Sequence, residues 1–75
     1  MNNTSENLEL VYATGTEYLA ELFKQILEEN NITALIVNRQ DSSYHFGDIE
    51  VYVKSEDFAK AKQMSEEFEN NTQIE

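Results

Sequence analysis

LELVYATGTEYLAELFKQILEENNITALIVN, residues 8–38, holds a strand, a capped helix and a second strand, and the fold is read from it. Leu19, Leu22, Phe23, Ile26 and Leu27 recur at i, i+3, i+4, i+7 and i+8, one apolar stripe along a helix over Glu17–Glu29. Thr14-Gly15-Thr16-Glu17 has the form of a capping box, in which Thr14 and Glu17 each satisfy a free backbone N–H. Asn30-Asn31 ends the helix, because asparagine tolerates the left-handed C-cap conformation better than any other residue with a side chain. On either side, Leu8–Thr14 and Ile32–Asn38 read as strands. The second is β-branched and nearly all apolar, as a strand with two partly buried faces would be.

The C-terminal half has the same plan. Asp48–Lys54 alternates, with Ile49, Val51 and Val53 on one face and Glu50, Tyr52 and Lys54 on the other. Ser55 stands at an N-cap position, with Glu56 and Asp57 in the first turn where the helix dipole favours them. A second helix reaches about Asn70 on a thinner stripe of Phe58, Ala61, Met64 or Ser65, and Phe68. A shift of 40 residues lays Val11-Tyr12 on Val51-Tyr52 and Glu29-Asn30-Asn31 on Glu69-Asn70-Asn71. Each half is then strand, helix, Asn-Asn, strand, the split βαβ arrangement.

The predicted fold is α+β, a single ferredoxin-like βαββα(β) sandwich over residues 1–75, with sheet order 1-3-2 and both helices on one face. Residues 1–6 and 72–75 are expected to fray, which leaves room for no more than a short fourth edge strand. If Ile49, Val51 and Val53 face the helices, correspondence puts Val11 and Ala13 beside them. Leu8, Leu10, Tyr12 and Tyr52 then lie on the open face of the sheet. That is more apolar surface than a small monomer usually exposes, so these four are the expected oligomer face.

Composition narrows the function. A 75-residue chain buries only about 60–65% of its unfolded surface, so the core is thin. The sequence has no cysteine to reinforce it by disulfide or thiolate metal site. Fifteen acidic against 5 basic residues give a net charge of −10, which repels nucleic acid and anionic membrane surfaces. The polar N-terminus lacks the features of a signal peptide, and no apolar run is long enough to span a bilayer, so a cytoplasmic location is expected.

One stretch has unusual chemistry. Asn38 to Gly47 carries the only arginine, the only histidine and one of the two glycines. Arg39, Asp41, Ser42, Ser43, Tyr44 and His45 could therefore hold an anionic ligand or an acidic partner. A solvated hairpin connection accounts for the same residues. His45 near Asp41 and two serines does not make a catalytic triad, which is defined by spatial roles, and a lone histidine is a poor metal set. No enzyme activity, cofactor or metal is expected.

Several stretches together resemble the small bacterial domains called putative prokaryotic signal-transducing proteins. They are Val11-Tyr12-Ala13-Thr14-Gly15, Glu21-Leu22 with Ile26-Leu27-Glu28, Asn31-Ile32-Thr33-Ala34, Gly47-Asp48-Ile49-Glu50-Val51-Tyr52-Val53, and Glu56-Asp57-Phe58 with Ala61. Members of that family usually have glycine where Asn31 stands. The resemblance implies a distant kinship in fold with oligomeric PII-like regulators, whose functional loop joins strands two and three. It supplies no catalytic or nucleotide-binding residues. The expected function is a non-enzymatic regulatory module acting as a homo-oligomer, a dimer, on an unidentified protein or small-molecule partner. The alternative is a sensor of a small anionic ligand at the loop between strands two and three.

Overall fold

The computed structural model describes residues 7–40 and 48–72. In chain order they form β1 (Leu8–Thr14), α1 (Glu17–Glu29), β2 (Ala34–Asn38), β3 (Ile49–Lys54), a 3-10 turn (Ser55–Asp57) and α2 (Phe58–Thr72). The three strands make one antiparallel sheet ordered β1-β3-β2, with both helices packed against it. This is the ferredoxin-like α+β arrangement expected from the sequence.

Helix α1 has the predicted bounds. Ala20, Phe23 and Leu27 are fully buried, and Leu19, Leu22 and Ile26 flank them partly buried. Its end is a Schellman motif. Asn31 sits in the left-handed region at φ 66°, its N–H donating to the Glu28 carbonyl at 3.1 Å. The Ile32 N–H donates to the Leu27 carbonyl at 2.9 Å, and both side chains are buried, which completes the motif's apolar contact. Ile32 is thereby held in the cap, and β2 starts at Ala34, two residues later than expected.

The expected caps at both helix starts are not formed. Thr14 is the last residue of β1, paired with Ile49, and α1 begins only at Glu17, so Thr14 lies two residues before the cap position. The cap is Thr16, whose side chain makes no capping bond; Thr14 Oγ1 instead accepts the Thr16 N–H at 3.1 Å. The capping box is therefore not formed. Ser55 does not cap α2 either. Its N–H and hydroxyl both donate to the Asn7 carbonyl, at 2.9 and 3.2 Å, adding a rung between β1 and β3. At the far end α2 continues through Asn70 and Asn71 to Thr72, so the expected cap at that Asn-Asn pair is corrected to helix. Fraying was expected at residues 1–6 and 72–75, with a short fourth strand at most in the latter; Thr72 is instead the last residue of α2, and residues 1–6 and 73–75 lie outside the described residues.

The main correction concerns the two faces of the sheet. In antiparallel pairs, residues directly opposite share a face. Leu8 lies opposite Lys54 and Leu10 opposite Tyr52, but the register then slips and Tyr12 lies opposite Val51. The slip is a β-bulge at Val11, one extra residue in β1. It turns Tyr12 to the helix side with Ile49, Val51 and Val53, and turns Ala13, opposite Glu50, to the open side. Tyr12 was expected on the oligomer face; it is only 6% exposed and belongs to the core. Its ring lies 5.0 Å from that of Phe23 and 5.5 Å from that of Phe68, and Phe23 and Phe68 are 5.1 Å apart. These three rings join β1, α1 and α2, at separations where aromatic pairs attract beyond their area.

Candidate functional site: the open face of the sheet

The face turned away from the helices is set by the register. It carries Leu8, Leu10 and Ala13 from β1, Leu35 and Val37 from β2, and Glu50, Tyr52 and Lys54 from β3. Leu8 is 46% exposed, Leu10 45% and Leu35 49%, with Tyr52 and Val37 partly buried between them. Large apolar residues gathered on one face are informative where scattered ones are not.

A polar knot sits within this apolar surface. Glu50 Oε1 accepts from Arg39 Nε at 2.7 Å and from the Tyr52 hydroxyl at 2.8 Å. The Glu50 side chain is 18% exposed while Arg39 is 58% exposed, so the carboxylate lies beneath the guanidinium. Local structure holds Arg39 in place. Its N–H donates to the Asp48 carbonyl at 3.0 Å, extending the β2–β3 ladder by one rung. Next, the Gln40 N–H donates to Asn38 Oδ1 at 2.8 Å, and Gln40 Nε2 donates to the Gly15 carbonyl at 2.9 Å. The start of the loop is thus tied to the turn before α1.

Arg39 and then Tyr52 hold the Glu50 carboxyl below its ordinary value of 4.5 by hydrogen bonding. A carboxyl depressed on folding contributes stability that is present above its unfolded pKa and is lost as pH falls through the folded one. The Glu50 contribution to melting temperature should therefore fade as pH drops below 4.5, so the gap between the parent and Glu50→Gln should narrow there. Parallel curves for the two proteins would show that the knot carries no pH dependence.

Of the residues singled out from sequence, Leu8, Leu10 and Tyr52 share the open face, Arg39 stands at its border, and Tyr12 is on the other side. Asp41, Ser42, Ser43, Tyr44 and His45 lie outside the described residues. Sequence reading missed Leu35, Val37 and Glu50. The alternation of β3 already put Glu50 beside Tyr52, but only the pairing of β2 with β3 brings Leu35 opposite Tyr52 and Arg39 next to Glu50. Among the described residues no cluster of three or more His, Cys, Asp or Glu could hold a metal ion, and no helix is long and apolar enough to cross a membrane.

The family model described as "putative prokaryotic signal transducing protein" matches residues 8–69, from the start of β1 nearly to the end of α2. No curated protein and no solved structure matches the chain.

Proposed function

The chain belongs to the family of putative prokaryotic signal transducing proteins, and from that and its sheet we propose a non-enzymatic regulatory module that works by protein–protein contact in the cytoplasm. The observation that carries this reading is the open face, with Leu8, Leu10 and Leu35 each close to half exposed around Tyr52. The net charge of −10 steers basic partners toward the chain as a whole, and the open face offers them an apolar surface, so the occupant proposed is an amphipathic helix with an apolar stripe and basic flanks. Kinship with PII-like regulators and a homo-oligomeric state belong to the same reading. A sensor of small anions at Arg39 has weaker support, because an incoming anion must compete with the Glu50 carboxylate already 2.7 Å from Nε.

The test is a titration of the isotopically labelled protein with a Leu/Lys amphipathic helical peptide, followed by amide chemical shifts. Shifts should centre on Leu8, Leu10, Leu35 and Tyr52, and Leu10→Asp should abolish them. Shifts confined to the acidic outer faces of α1 and α2, around Glu21, Glu28, Glu66 and Glu69, would overturn the docking face.

A further inference from the structure

We propose that two copies of this chain join along the free edge of β2, making one continuous antiparallel sheet in the order β1-β3-β2-β2-β3-β1. This deepens the homo-oligomer part of the reading above by naming the joint.

The ladder decides which backbone groups are available. Arg39 and Asp48 form a hydrogen-bonded pair, and the β2–β3 register runs without a bulge from Asn38↔Ile49 to Ala34↔Val53. Hydrogen-bonded pairs alternate along an antiparallel ladder, so Val37 and Leu35 also bond toward β3. The N–H and C=O groups of Ala34, Ile36 and Asn38 therefore point outward, and among the described residues no strand takes them. These groups are spaced evenly about Ile36. A two-fold axis there sets Ile36 opposite Ile36 and Ala34 opposite Asn38, and each pair exchanges both of its bonds. The edge is complementary to itself, and this register keeps each copy's helices on the same side of the joined sheet.

The second copy is favoured as occupant by charge and by the state of the other edge. Residues 30–38 are the longest stretch of the sequence without a charged side chain, in a chain of net charge −10. These stretches bring no charged side chain of their own to the joint. Natural edges are usually blocked by charge, proline or a bulge. The β1 edge has Glu9 and the bulge at Val11, whereas β2 has none of the three. In the split βαβ plan a fourth strand would flank β1, so it would leave β2 open. Joining at β2 also merges the two open faces, with Leu35 of each copy beside the joint.

The protein at millimolar concentration provides the test, with a mixed sample of labelled and unlabelled chains. The expected results are a dimer by sedimentation, amide protons of Ala34, Ile36 and Asn38 whose exchange slows as concentration rises, and an intermolecular Hα–Hα contact between Leu35 and Val37 of the other copy. Synthetic protein N-methylated at Ile36 loses one outward donor but no bond within its own sheet, and should sediment as a folded monomer. Leu10→Asp, which removes the docking face, should dimerise as the parent does. A parent that stays monomeric, or a dimer in which those three amides still exchange rapidly, overturns the β2 joint. In the second case peptide binding on the open face would stand unaffected.

Discussion

Phe23→Ala is expected to remove a large share of the chain's stability. Phe23 is fully buried, and its ring touches both Tyr12 on β1 and Phe68 on α2. It therefore holds three elements of a thin core together. Removing a buried phenylalanine costs about 3–5 kcal/mol, transfer and cavity included. Domains carry about 0.05–0.15 kcal/mol of stability per residue, which for 75 residues is about 4–11 kcal/mol in all. The loss is thus comparable with the whole at the lower end. Urea unfolding followed by circular dichroism measures it directly. A midpoint shift worth less than about 1 kcal/mol, the scale of an ordinary surface substitution, would mean that the three rings do not hold the helices to the sheet.

The two tyrosines at equivalent places in the two halves should respond in opposite ways. Tyr12→Glu puts a carboxylate beneath the helices between Phe23 and Phe68 and removes a buried ring, at a cost of about 3–5 kcal/mol. Burial raises the Tyr12 phenol above its ordinary value, partly countered by a hydrogen bond with Thr14 and reinforced slightly by Glu69. Tyr52→Glu changes a partly buried residue on the open face, and loses one bond to Glu50. It should keep the native circular dichroism spectrum at neutral pH while Tyr12→Glu does not. Equal behaviour of the two variants would contradict the bulge at Val11, since only that extra residue turns Tyr12 inward.

Helix α1 was legible because everything that defines it is local. Five apolar residues at the helical period and an Asn-Asn stop fall within the window that decides helix bounds, and the structure begins and ends where they say. Caps that depended on tertiary placement were not legible. Thr14 and Ser55 have capping chemistry, but the β1–β3 ladder holds the backbone of each; the Ser55 hydroxyl donates across that ladder to the Asn7 carbonyl, and Thr14 Oγ1 accepts the Thr16 N–H in the turn before α1. The Asn-Asn pair at 70–71 looks like the one at 30–31, yet α2 runs through it. At residue 31 the chain must turn back into β2, and the left-handed conformation is enforced by the strand that follows.

The candidate site divides in the same way. Alternation in β3 places Glu50, Tyr52 and Lys54 on one face by sequence alone, because the side-chain period of a strand is two. Neither the face of β1 beyond Val11 nor the neighbours of Arg39 could be obtained so. A bulge adds one residue without any required side chain, and one residue is enough to exchange the faces of everything after it. The sequence by itself determined the element order, the acidic character, the apolar stripe of α1 and the phase of β3, all properties of adjacent residues. The pairing of β1 and β2 with β3 determined that Tyr12 is core, that Leu35 joins the open face, and that Arg39 meets Glu50 across eleven residues of sequence. Those are contacts between segments whose separation the chain pattern does not encode.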